Sequence, residues 1–203
     1  MIIGHIGVAY AAKAQWQRIP LGALLISSFA PDILREAFAS AGFPWPRTNL
    51  YSHGLPWCLL LAAAAGLLAW KALADRSRVA GVVVAGLVLS HIALDLISGS
   101  KDMGPGGPMG LYVESIQQLE LAIEGALLLG GWWMMRRAVA PRWATHWGMP
   151  VALILLEVTY LAGTMSLRPY RTRCLASPMA ECTDQSLLTR KWDTHPFFWA
   201  DIR

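Results

Sequence analysis

Val79-Ala80-Gly81-Val82-Val83-Val84-Ala85-Gly86-Leu87-Val88-Leu89-Ser90-His91-Ile92-Ala93-Leu94-Asp95-Leu96-Ile97 decides the fold. A helix of this length reaches across the hydrocarbon core of a bilayer at about 1.5 Å per residue. Three similar apolar stretches follow from the same reading: Leu55–Leu73, Ile116–Met135 and Met149–Leu167. A fifth region, Ile2–Leu34, is interrupted by Arg18-Ile19-Pro20 and reads as two short helices, Ile2–Gln15 and Pro20–Leu34. The expected class is all-α: a polytopic membrane helical bundle of four full spans preceded by a short-helix hairpin. The first helix lacks a basic start and a convincing cleavage site and carries Lys13, so it is expected to be retained.

Composition points the same way. Hydrophobic residues make up 55% of the 203 and charged residues 15%, against roughly 25% charge in a soluble domain. An ordinary soluble enzyme, a coiled coil and a disordered chain are all disfavoured. The net charge of +4 is not a nucleic-acid signal, because the basic residues gather between the apolar stretches. Lys71, Arg76 and Arg78 mark one connection, and Arg136, Arg137 and Arg142 another. Lys13 and Arg18 at the hairpin tip fit the same side, which the positive-inside rule makes cytoplasmic. Residues 1–167 form the membrane domain, and 168–203 form a tail expected on the non-cytoplasmic side, although its own arginines argue against that placement. Trp57, Trp132, Trp133, Trp143 and Trp147 lie near span ends and read as interfacial anchors.

Ionisable residues within apolar segments usually serve a site. His91 and Asp95 are four apart and share one helix face. They can bind one metal, or the aspartate can orient the imidazole. On the expected topology His5, Asp32 and His53 reach the same membrane face. Three histidines and two carboxylates suit a divalent ion, with Zn²⁺ the expected metal. Glu120 and Glu124 form a second same-face pair and are the candidate catalytic acid–base residues or outer-shell partners. Each residue also has a plainer reading: His5 lies near a terminus, Asp32 could end a helix, His53 could be interfacial, and His91–Asp95 could be a structural pair. Asp102 is a further ligand or cap candidate, and Glu157 carries no assigned chemistry. The Gly-rich Gly104–Gly110 lacks the lysine of a phosphate loop and reads as the rim of a cavity. Cys58 reads as a packed small hydrophobe, and Cys174 and Cys182 as a local disulfide if the tail is outside. His146 and His195 read as incidental.

Several of these motifs resemble bacterial inner-membrane proteins grouped as membrane-bound metal-dependent hydrolases. The likeness rests on Gly4-His5 with Gly7, on Pro31-Asp32, on Tyr51-Ser52-His53-Gly54-Leu55 and on Leu89-Ser90-His91-Ile92-Ala93-Leu94-Asp95. It continues through Lys101-Asp102-Met103 and Gly107-Pro108-Met109-Gly110-Leu111-Tyr112 to Leu119-Glu120, covering roughly residues 1–137. Two departures stand out. Ile33, Leu34 and Arg35 follow Pro31-Asp32 where that family often has a further Asp or His, and Gly99 or Ser100 stands where relatives often have another His. The resemblance implies a multi-pass protein of the bacterial inner membrane with a divalent metal and hydrolytic activity. Placement at the non-cytoplasmic face suggests a lipid-linked ester or phosphoester as substrate and membrane lipid as partner. No nucleic-acid partner is expected. The alternatives are a small transporter using Glu124 and Glu157, or a noncatalytic scaffold or complex subunit that docks a protein through the tail.

Overall fold

Prolines, glycines and charged residues punctuate the helices. The computed structural model describes residues 3–43, 47–73, 77–99, 101–102, 108–111, 117–139 and 146–159. All but Thr159 belong to one compact unit, Met1–Val158.

Helix α1 (Ile3–Gln15) turns into α2 (Leu21–Ser28). Lys13 Nζ closes the turn by donating to the carbonyls of Gln17 (2.6 Å) and Ile19 (2.8 Å). The second arm was expected to run on to Leu34, but it stops at Ser28. Phe29 leaves helical geometry at φ −106° and ψ 7°, and α3 (Ala30–Ser40) starts immediately. Pro31 fits the first turn of α3, where a missing N–H leaves no bond unmade. Asp32 sits in that same turn, where a carboxylate complements the helix N-terminus. Asp32 therefore opens a helix rather than closing one. A short α4 (Arg47–His53) follows, so much of the expected 35–52 loop is helical.

Helices α5 (Leu55–Ala72) and α6 (Arg78–Ser98) are long and apolar enough to cross a membrane. Among the described residues two helices meet that measure, not the four expected. Helix α7 (Gln117–Ala138) has the length, at 22 residues. Its apolarity is diluted by Gln117, Gln118, Glu120 and Glu124 at one end and Arg136 and Arg137 at the other. The last predicted span is described only as α8 (Gly148–Thr159), a shorter apolar helix. A two-residue antiparallel pairing sets Lys101 opposite Met109 between α6 and α7. The other residues of the Gly-rich stretch at 104–107, the tail at 168–203, and Cys174, Cys182 and His195 lie outside the described residues.

Helix α1 is the hub. It makes its largest contact with α7 and also packs on α2 and α6, while α5 pairs with α6 and α3 with α4. The α1–α7 crossing is close because Gly7 meets Gly131: a Cβ on Gly131 would overlap the Gly7 carbonyl, and one on Gly7 would overlap the Leu127 carbonyl. Small residues at helix crossings allow this approach. Ile3, Tyr10, Leu128, Trp132 and Met135 fill the α1–α7 interface. Trp132 is 1% exposed, so it is a core residue rather than an interfacial anchor; it packs beside α1 at this crossing. Trp57, Trp133 and Trp147 are exposed, as anchors should be. Arg137 lies 4.5 Å from the Trp133 ring centre, and Arg136 lies 5.3 Å from both Trp132 and Trp147. The outer face of α5 presents Leu59, Leu60, Leu67 and Leu68.

Candidate metal centre

Four helices bring the five predicted ligands together. Helix α1 supplies His5, α3 supplies Asp32, α4 ends on His53, and α6 supplies His91 and Asp95 one turn apart. His5, His53 and His91 are fully buried and Asp95 nearly so. The Asp32 side chain is the most open, at 33% exposed. Two overlapping groups could hold a metal ion: Asp32, His53 and His91, and His5, His91 and Asp95.

The distances distinguish metal ligands from hydrogen-bond partners. His53 Nε2 lies 3.4 Å from His91 Nε2, 3.4 Å from Asp32 Oδ1 and 3.5 Å from Asp95 Oδ2. His91 Nε2 lies 3.5 Å from Asp95 Oδ2 and 3.7 Å from Asp32 Oδ2. His5 Nε2 stands slightly further out, 3.9 Å from Asp95 Oδ1. Good N–H···O hydrogen bonds fall at about 2.7–3.2 Å, so these separations are long for direct bonds. A tetrahedral ion with bonds of about 2.0–2.1 Å holds its ligand atoms roughly 3.3–3.4 Å apart. The contacts among His53, His91 and the two aspartates lie close to that spacing.

The outer contacts orient the rings. Ser28 ends α2, so its carbonyl is among those the helix leaves unpaired. His91 Nδ1–H donates to it at 2.8 Å. In the neutral ring this leaves the Nε2 lone pair facing His53 and both aspartates. His53 Nδ1 is in turn 2.7 Å from Ser52 Oγ. The Ser28 hydroxyl donates to the His5 carbonyl at 2.8 Å, tying α2 to α1. Cys58 is buried and its thiol donates to the Ser52 carbonyl at 3.0 Å, which supports its reading as a packed side chain.

The donor set calls for positive charge. A bare imidazole nitrogen faces two carboxylates in a buried pocket, and burying such a group is costly without a compensating cation or proton. A divalent ion would balance both carboxylates and give the imidazoles a partner. Arg35 Nη1 is 3.4 Å from Asp32 Oδ1, and its other side meets Glu36 at 3.1 Å. Burial opposes the Asp32 charge, but the neighbouring His53, His91 and Arg35 outweigh it. They hold this carboxyl well below the usual carboxylate range. Arg35, one of the departures in sequence, is thus a positioning partner of the candidate ligand Asp32.

Glu120 and Glu124 lie elsewhere. Among the described residues neither belongs to a metal-capable group. Glu124 is buried and accepts the Gly4 N–H at 3.0 Å, one residue before His5. Glu157 of α8 is buried within electrostatic reach of both glutamates. No sequence periodicity linked Glu157 to the other two. Asp102 is described in its backbone alone, so its ligand or cap role lies outside the described side chains. His146 lies on the exposed turn before α8 and is in neither metal-capable group. No family model, curated protein or solved structure matches this chain.

Proposed function

We propose that this protein is a metal-dependent hydrolase of the bacterial inner membrane that acts on a lipid-linked ester or phosphoester at the non-cytoplasmic face. The observation that carries the reading is the set of 3.4–3.7 Å contacts among His53, His91, Asp32 and Asp95. The motif resemblance to membrane-bound metal-dependent hydrolases supports the same reading.

His53, His91, Asp32 and Asp95 are the inner ligands, and His5 completes the set. Mixed imidazole and carboxylate donors favour Zn²⁺. A bound divalent ion supplies Lewis acidity toward water and toward the scissile carbonyl or phosphoryl oxygen. Asp32 marks the open side from which a substrate reaches the centre. Glu124, outside the two metal-capable groups, is proposed as an acid–base residue on the His5 side of the centre, with Glu120 as its partner one turn earlier. Anchoring of Glu124 by Gly4 supports this role by linking it to the segment that carries His5.

Metal analysis after mild detergent extraction tests the proposal. Wild type should carry about one zinc, manganese or iron per chain, and His91→Ala should lose it. Substoichiometric metal in both proteins refutes the reading. In metal-loaded protein, Glu124→Gln should keep the ion and lower hydrolysis of a lipid ester or phosphoester by about 10²–10⁴-fold. Undiminished turnover would remove Glu124 from the mechanism.

A further inference from the structure

An apolar groove of about 370 Å³ lies among α3, α4 and α5. Leu34, Phe38, Tyr51, Trp57, Leu61 and Ala64 line it. It shares two short helices with the metal centre. Leu34 is two residues beyond Asp32 on α3, and Tyr51 is two residues before His53 on α4.

The lining changes character along the groove. Near α4 it is an aromatic collar: Tyr51 and Trp57 meet edge to face at 5.3 Å, and Phe38 lies 6.3 Å from Tyr51. Further along α5 it becomes aliphatic, with Leu60, Leu61 and Ala64. Trp57 to Ala64 spans about 10 Å of helix at about 1.5 Å per residue. Tyrosine and tryptophan suit the headgroup level of a bilayer, and leucine suits its interior.

We infer that this groove holds one acyl chain of the substrate lipid, with the chain running down α5 and the scissile ester or phosphoester at the Asp32–His53 end. The substrate class is therefore an acyl-bearing lipid rather than a soluble ester. Three observations select that occupant. The groove wall is α5, one of the two helices able to span a membrane, and only 22% of its apolar window is buried within the protein. Its lining is almost wholly apolar, so a polar peptide or sugar would lose hydrogen bonds on entering it. Asp32, the most open candidate ligand, lies on the helix that forms one groove wall. The location of the scissile bond rests on the hydrolase reading; the acyl site itself does not.

The test uses the full chain in nanodiscs containing a trace of phospholipid with a photoreactive group in its acyl chain. After irradiation, peptide mapping reads the labelled residues. Label should concentrate at 34–38 and 57–64. Ala64→Phe, at an exposed groove position where a ring disturbs no core, should cut that label roughly tenfold by displacing chain contacts. Its metal content should match wild type, so a failure of the metal site is recorded separately. Label spread evenly over the outer positions Leu67, Leu68 and Val82, or equal groove labelling in Ala64→Phe, overturns the inference. A control substitution, Val82→Phe, should leave groove labelling unchanged.

Discussion

Replacing Ser52 with alanine removes the hydroxyl 2.7 Å from His53 Nδ1. That contact fixes the ring whose Nε2 lies 3.4–3.5 Å from His91, Asp32 and Asp95. Without it, the His53 ring loses the contact that orients its Nδ1 side. Losing the outer partner of a metal-bound histidine typically weakens metal affinity about 10–100-fold, or about 1.4–2.8 kcal/mol. Ser52→Ala should fall in that range when the purified protein competes with a chromophoric chelator for zinc. The backbone carbonyl that receives the Cys58 thiol is retained, so the α4–α5 junction should persist. Ser90→Ala is the internal control: its hydroxyl donates to the Leu87 carbonyl on the same helix as His91. It lacks a contact to a candidate ligand ring and should change affinity less than about twofold. Ser28→Ala separates the two outer contacts further. It loses the bond to the His5 carbonyl but keeps the carbonyl that receives His91 Nδ1–H. A folded Ser52→Ala protein with wild-type zinc affinity would refute the assignment of His53 as an oriented ligand.

The remaining predictions concern packing and acid stability. Gly131→Ala forces the α1–α7 crossing apart and should cost about 1–3 kcal/mol, lowering the thermal midpoint and loosening His5 from the site. Gly130→Ala, one residue away with no atom within 4 Å of the added Cβ, should leave the midpoint unchanged or raise it. Equal effects of the two substitutions would deny the close crossing. The lowered Asp32 carboxyl contributes stability that is fully present above about pH 4 and is lost as pH falls toward its folded value. In chelator-treated protein, Asp32→Asn should therefore flatten the fall in thermal midpoint below about pH 4. An unchanged acid limb would show that the pairing with His53 and Arg35 contributes no stability there.

Side-chain spacing made part of the site legible. His91 and Asp95 had to share a face once residues 79–97 were read as a helix, because four residues are about one turn. His5, Asp32 and His53 required a topology as well as a pattern, since three separate helices carry them. The outer contacts left weaker traces. The partner of His91 is the Ser28 main-chain carbonyl, and every residue has a carbonyl. Arg35 looked like a missing ligand because spacing shows what occupies a position, not that its guanidinium reaches back one turn to Asp32. The span count failed for a related reason. Length alone admitted Ile116–Met135, whereas Gln117, Gln118, Glu120 and Glu124 dilute the apolarity of α7 at one end and Arg136 and Arg137 at the other.

The break between α2 and α3 joins these points. A continuous second arm would use the Ser28 carbonyl in its own helix ladder and would leave His91 Nδ1 without that acceptor. Phe29 and Pro31 interrupt the ladder, freeing the carbonyl for His91 and placing Asp32 in the first turn of a new helix. One local irregularity thus serves two candidate ligands on different helices. The same break turns α3 toward α4 and α5, with Leu34 and Phe38 facing the apolar groove. If the metal centre and acyl site work together, their connection is this short piece of backbone. Crosslinking tests the groove and chelator competition tests the centre; loss of both after insertion of one alanine between Phe29 and Ala30 would establish their mechanical link. Retention of both would show that α3 finds its place by packing alone.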